Sequence, residues 1–376
     1  VIDSGVVNAT QETAIAWLRE GRRFVQALLI EVEGSAPLPE GAMMIVDEHG
    51  RIEGSITGGC VEGALVGEAE AIMAGARGPG MLSYGISDGL AGSVGLMCGG
   101  TVHIFVSAPS GEEARTELAA LEAHADGRPA AIATLLDGEH AGSRLAVGEG
   151  MVTGTLGAGE LLDRNVAREA QGLLEEGKTT VRRFGADGAT LGDEQRVHIR
   201  SYALAPQMFI VGAIDFSAAL APFASAVGYQ VTIADARERF ARSPRFAAVA
   251  EVRVGWPQEV MADLELGPRD AILVFTHDAK FDEPALIGAL RTNAGYIGAL
   301  GSRTTTADRA RRLRAAGVGD EDLQRIHAPC GLDIGSRTAE ETAISVLAEI
   351  IADRAQRAGQ PLCQTSGPIH GRDRAA

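Results

Sequence analysis

The sequence predicts an α/β protein: an N-terminal mixed α+β domain followed by a C-terminal doubly wound parallel sheet. Two observations carry this. From Pro206 onward short apolar runs ("QMFIVGA", "YQVTIAD", "VRVGW", "AILVFTH", "YIGALGS", "IHAPCGL") alternate with helical stretches, the rhythm of strands joined by crossover helices. Before Pro206 the β-like runs are bounded by turns and interrupted by glycine-rich loops. The expected domains are 1–205 and 206–363, with a disordered tail at 364–376 ("QTSGPIHGRDRAA").

The elements follow in order. An amphipathic helix around Glu12 to Glu20 precedes strands at Phe24 to Val32, Ala42 to Val46 and Arg51 to Ile56, the last two turning at "DEHG". Val61, Ala64, Leu65, Ala69, Ile72 and Met73 repeat at helical spacing, so a helix is expected to begin immediately after Cys60. "MLSYG" and "TVHIFVS" read as strands flanking "GISDGLAGSVGLMCGG". Strands at Ala130 to Leu136, Met151 to Thr153, Thr179 to Phe184 and Val197 to Tyr202, with a helix near Leu161 to Leu174, complete the first domain. In the second domain helices are expected at Ser217 to Val227, Pro284 to Thr292, Thr306 to Ala316 and Ala339 to Arg357. The last is announced by a capping box, Thr338 with Glu341.

Composition narrows the function. With 45% apolar and 22% charged residues in 376, the chain has an ordinary globular balance. Asp plus Glu exceed Lys plus Arg by 50 to 34, which argues against nucleic acid as a principal partner. No apolar run approaches the ~18 residues of a membrane span, and no basic, apolar leader opens the chain, so a cytoplasmic protein is expected. The four cysteines form no Cys-x-x-Cys pair or zinc-spaced cluster, so each is judged by its surroundings.

Cys60 follows Gly58 and Gly59, and Cys98 precedes Gly99 and Gly100. A thiol at a helix N-terminus meets the positive end of the dipole and unpaired amides, and flanking glycines let a ligand approach the backbone. A phosphate, a thiolate or a persulfide would suit that setting; the alternative is a small residue packed under the helix. Gly212-Ala213-Ile214-Asp215 stands where a Rossmann-like fold carries Gly-x-Gly-x-x-Gly, with Ile214 in place of the second glycine, which weakens ordinary NAD(P) binding. Asp235, ending the next strand, fits either a ribose-binding acid or a turn residue. His277 and Asp278, Arg303, and Cys330 lie at other strand ends that face one crevice. Arg303 is a candidate anion clamp, and helix capping or a surface ion pair is the bland alternative.

"GSAPLPEGAMMIV", "GSITGGCVEG", "CGGTVHIFV", "THD", "IGALGSR" and "PCGLDIGSRTAEETAISVLAEI" together resemble the XdhC/CoxI family over roughly residues 12 to 355. The resemblance implies an accessory factor for xanthine dehydrogenase or carbon-monoxide dehydrogenase. Such a factor binds molybdenum cofactor, holds it while a cysteine desulfurase supplies sulfur, and passes it to the apo molybdenum hydroxylase. The family's "GGC" falls on Gly58 to Cys60, its "CGG" on Cys98 to Gly100, and its "GLDIG" on Gly331 to Gly335, including Asp333. Cys60 and Cys98 are then expected to face one another as molybdenum ligands or sulfur relays, since molybdenum is a soft partner for thiolate. An NAD(P)-dependent oxidoreductase and a ligand-free scaffold are the competing readings. A homodimer is expected from the commonness of two-fold oligomers. Nothing reads as an iron-sulfur or flavin domain.

Overall fold

A computed structural model describes residues 8–34, 36–85, 100–246 and 249–366. Contacts divide the chain into two units, Val1–Leu204 and Ala205–Ala376.

In the first unit α1 (Ala9–Arg19) opens on a capping box between Asn8 and Gln11. It is followed by β1 (Phe24–Glu33), β2 (Met43–Asp47), β3 (Ile52–Gly54), α2 (Glu62–Met73), β4 (Gly80–Tyr84) and β5 (Thr101–Ser107). These strands form an antiparallel sheet in the order β3-β2-β1-β5-β4. Then come α3 (Gly111–Ala125), β6 (Ala130–Leu135), β7 (Arg144–Gly148), β8 (Met151–Thr155), α4 (Glu160–Glu176), β9 (Thr180–Phe184) and β10 (Gln195–Tyr202). Their sheet runs β8-β7-β6-β10-β9, again antiparallel, so each strand number of the first sheet is advanced by five. The unit is built twice on one plan, which the sequence reading did not anticipate; nor did it anticipate β7.

Detail supports the duplication. Gly54 and Gly154 lie in equivalent strands, β3 and β8, at φ +82° and +81°. A side chain at Gly54 would run into the Met43 carbonyl and Thr10, and one at Gly154 into the Arg144 carbonyl and Thr116. Side-chain alternation along the strands sorts the core into layers. Val25, Ala27 and Leu29 face α2 with Val61 and Leu65, whereas Phe24, Leu28 and Ile30 face a shared middle core with Trp17, Ile132 and Tyr202. Ala131, Ala133 and Leu135 face the other way, towards Leu162 and Val166 of α4.

Charge is buried in that middle core. Glu117 of α3 pairs with Arg144 and, at 3.0 Å, with Arg200. It also accepts from Gln26 Nε2 at 3.1 Å, and Arg144 donates to Gln26 Oε1 and Ser107 Oγ at 3.0 Å each. The network therefore ties strands of both sheets to one helix. Next to it His198 is buried, and desolvation, then the Arg200 charge, lower its pKa from 6.5 to about 3. Below pH 6.5 the unfolded chain takes up a proton that the folded chain refuses until about pH 3. Stability should therefore fall as pH falls through this window, by up to about 1.4 kcal/mol per pH unit. Melting temperatures between pH 6.5 and 5, above the carboxylate range, should drop in the wild type and drop less in His198→Leu. Equal slopes in the two proteins would reject the assignment.

The second unit follows the expected rhythm. Its strands are β11 (Gln207–Val211), β12 (Gln230–Asp235), β13 (Glu251–Val254), β14 (Ala271–Val274), β15 (Tyr296–Ala299) and β16 (Ile326–His327). All pair in parallel in the order β13-β12-β11-β14-β15-β16, with the change of direction between β11 and β14. The helices are α5 (Asp215–Ala226), α6 (Glu238–Ala241), α7 (Pro257–Ala262), α8 (Ala279–Ala289), α9 (Arg303–Ala315), α10 (Asp320–Gln324) and α11 (Ala339–Arg354). Helix α8 starts before the expected Pro284, because Asp278 caps it and accepts from the Lys280 amide. Helix α9 likewise starts at Arg303, where Ser302 accepts from the Thr305 amide. A short 3₁₀ turn, Leu362–Gln364, ends at the first residue of the expected tail; residues 367–376 lie outside the described residues.

Candidate functional site

The cysteine loop is organised by a residue that the sequence reading overlooked. Helix α2 begins at Glu62, with Val61 as its N-cap, so Cys60 stands one residue further from the helix than expected. The Glu62 carboxylate turns back over the loop. Its Oε1 accepts from Ser55 Oγ (2.7 Å) and from the amides of Ile56 (3.0 Å), Thr57 (2.8 Å) and Gly58 (3.1 Å). Its Oε2 accepts from Thr57 Oγ1 (3.0 Å), Gly59 N (2.8 Å) and Val61 N (3.2 Å). Burial opposes ionisation here, but the hydrogen bonds from Ser55 and the Thr57 and Ile56 amides outweigh it and hold the carboxyl far below the usual range. Gly58 and Gly59, at φ +76° and +122°, let the loop curl so that its amides converge. Those amides were expected to receive a ligand anion. They instead hold an internal one, and what the loop leaves available is the Cys60 side chain, half-buried against the core under α2.

The second copy shows which part of this is architecture. There Asp163 of α4 accepts from Thr155 Oγ1 at 2.7 Å and Leu156 N at 2.9 Å, as Glu62 does from Ser55 and Ile56. Gly157 N donates to Thr155 Oγ1 at 3.0 Å as Gly58 N donates to Ser55 Oγ at 2.9 Å. The carboxylate-held turn belongs to the repeated fold; the thiol belongs to the first copy alone, since Gly157 to Leu161 contain no cysteine. Gly100 is buried just before β5, whereas Cys98 and Gly99, and with them the expected pairing with Cys60, lie outside the described residues.

In the second unit the dinucleotide determinants are used internally. Gly212, at φ +108°, is required because a Cβ there would come within 2.7 Å of Thr276 Cγ2. Asp235 accepts from the Ala213 amide (2.9 Å), from the Arg237 amide and Nε (2.9 Å each) and from Arg237 Nη2 (2.7 Å), so both oxygens are engaged. Asp215 is paired with Arg245, whose Nη2 donates to Ala213 O at 3.2 Å. A turn with Ile214, a paired Asp215 and a satisfied Asp235 gives NAD(P) no support.

The other expected residues follow the carboxyl ends of the neighbouring strands β14, β15 and β16. His277, Arg303 and Asp333 are exposed, and Asp278 does what the bland alternative assigned it, capping α8. Cys330 is buried, its amide donating to Ala299 O at 3.1 Å; desolvation, then Glu349, push its thiol up to about 12. Glu349 is another residue the sequence reading passed over. It accepts from Tyr296 Oη and the Gly331 amide, both at 2.5 Å, and meets His327 Nδ1 at 3.4 Å, pinning the "PCGLDIG" turn to α11. It lies within the expected helix Ala339 to Arg357, where nothing in the sequence singles it out. Among the described residues no group of three or more His, Cys, Asp or Glu could hold a metal ion, and no helix is long and apolar enough to cross a membrane.

Comparison with known proteins agrees with this architecture. A family model described as the XdhC Rossmann domain matches residues 208–350. One described as the XdhC and CoxI family matches 17–85 and 123–185, a segment in each copy of the duplicated unit. A Bacillus subtilis (strain 168) protein described as a probable subunit of xanthine dehydrogenase is 26% identical over 341 residues, covering 90% of this chain and 96% of that one. The molybdenum cofactor insertion chaperone PaoD of Escherichia coli (strain K12) is also 26% identical over 341 residues, covering 91% and 86%. Uncharacterized protein YqeB of Escherichia coli (strain K12) is 29% identical over 253 residues, 64% of this chain but only 46% of its own length. A crystal structure described as a xanthine dehydrogenase from Bacillus halodurans shares the fold, with a TM-score of 0.63 at 24% identity over 94% of this chain and 98% of that one.

Proposed function

The chain belongs to the XdhC and CoxI family, and we propose that it carries molybdenum cofactor as cargo and inserts it into an apo molybdenum hydroxylase of xanthine- or carbon-monoxide-dehydrogenase type. The observation that carries this is Cys60. The duplicated unit makes the same carboxylate-held turn twice and puts a thiol on only one of them. Soft sulfur suits molybdenum, and an exchangeable thiolate suits a carrier that must release what it holds. Glu62 keeps the amides of the loop occupied, so the loop engages its cargo through sulfur and not through a phosphate.

In this reading Cys98 is the second sulfur of the site, and a cysteine desulfurase supplies the sulfur that the cargo receives before insertion. The exchange occurs in the cytoplasm, and the chain works as a homodimer. Gly58 and Gly59 shape the Cys60 turn, and in this reading Gly99 and Gly100 serve the cargo beside Cys98. The test is purification from a cell that makes the cofactor, followed by metal analysis and detection of the oxidised pterin. The expected result is molybdenum and pterin in matching amounts; a preparation devoid of both from such a cell rejects the function.

A further inference from the structure

In the second unit Arg303, the anion clamp expected from the sequence, stands at the start of a helix that also carries a buried arginine no motif announced. Arg309 of α9 is 2% exposed. Its Nη2 donates to Leu300 O at 2.9 Å and meets Asp282 Oδ2 at 3.1 Å. The same nitrogen lies 3.7 Å from where a side chain on Gly301 would begin, so the guanidinium sits directly beneath the turn from β15 into α9. Its Nε and Nη1 have no partner among the described residues, and neither has the buried Thr306 Oγ1 one helical turn earlier on the same face. Buried donors left unmatched are costly, and a cluster of them is uncommon without a ligand or water to satisfy it.

The surroundings favour negative charge. Asp282 pairs with this guanidinium through Nη2 and also accepts from Thr276 Oγ1, and burial raises its pKa; Nε and Nη1 are left to another acceptor. The Arg303 and Thr304 amides open the 13-residue helix, the Thr305 amide being taken by Ser302, and Arg303 adds an exposed positive charge there. Gly301, at φ +153°, keeps side-chain bulk off the turn. Parallel-sheet strand ends are where such folds bind ligands.

We propose that the β15–α9 turn, with Thr306 and Arg309 beneath it and Arg303 at its lip, binds a phosphate group. The Arg303 and Thr304 amides and the Arg303 side chain would meet the outer oxygens, and Arg309 Nε and Nη1 with the Thr306 hydroxyl the inner ones.

Calorimetric titration of the full chain with inorganic phosphate, at constant ionic strength and with acetate as control, tests it. Saturable binding of phosphate is expected. Thr306→Val, which keeps the shape and so the fold, should weaken it about threefold to tenfold, the worth of one neutral hydrogen bond. Arg309→Met should weaken it by about tenfold or more, as loss of a charged donor does. No saturable binding to the wild type, or undiminished binding to Thr306→Val, overturns the site and leaves internal water as the partner of these atoms. Pterin that co-purifies with a chain unable to bind phosphate overturns this inference alone. Phosphate binding by a chain that never carries pterin overturns the proposed function and leaves the site standing.

Discussion

Cys60→Ala should leave the purified chain with molybdenum and pterin reduced about tenfold or more, because removing a ligating sulfur costs at least as much as the outer-shell changes that weaken metal binding tenfold to a hundredfold. The fold should survive. The turn is held by the Glu62 carboxylate, not by the thiol, and Cys60 is only half-buried. A substitution of that kind shifts stability by about 0.5 kcal/mol, or about 2 °C in melting temperature. Cys363→Ser, at an exposed position in the other unit, is the matched control and should retain the cargo. Cys98→Ala separates two roles for the pair. If both sulfurs ligate, each single variant loses the cargo. If Cys60 relays sulfur, the Cys60 peptide from wild-type chain gains the mass of one sulfur atom after incubation with desulfurase and cysteine. A Cys60→Ala chain that holds the cargo and activates its client as the wild type does would end the proposal.

Much of this architecture was legible in the sequence, and the omissions have physical causes. The parallel sheet announced itself because buried parallel strands are short continuous apolar runs, and their helices have ordinary caps such as Thr338 with Glu341. The duplication was invisible because what the copies share is backbone geometry. Gly54 and Gly154 do the same work, and so do Thr10 and Thr116, or Glu62 and Asp163, but the intervening residues differ and the spacing slips by one between Gly54–Glu62 and Gly154–Asp163. Gly58 and Gly59 were recognised as a concave set of amides, yet Glu62 read as one more first-turn acid of α2. Only the folded loop shows that it closes that concavity. Arg309 was hidden differently: in "ADRARRLRAA" one arginine looks like the next, and burial alone separates Arg309 from Arg311 and Arg312.

Glu117→Ala should be the most destabilising of the substitutions considered. It leaves Arg144 and Arg200 buried without their carboxylate, and breaking a buried ion pair from one side costs about 3–5 kcal/mol. For a unit of this size that corresponds to a fall in melting temperature of about 6–20 °C. Acid should probe the same network. Burial opposes ionisation of Glu117, but Arg144 and then Arg200 hold its carboxyl below the ordinary value of 4.5. A carboxylate with a depressed folded value stabilises above its unfolded value and ceases to do so as pH falls through the folded one. The wild type should therefore lose stability as pH drops below about 4.5, and the Glu117→Ala protein should lose less across that range. Wild-type-like melting of the variant at pH 7 would show that the network contributes nothing net. Replacing all three charges together, Glu117→Leu with Arg144→Met and Arg200→Met, separates stability from specification. Such swaps are often neutral or stabilising. If the triple variant recovers its melting temperature but Cys60→Ala no longer alters cargo retention in that background, the buried charges serve to fix how the two copies of the fold pack, and with it the setting of the one copy that bears a thiol.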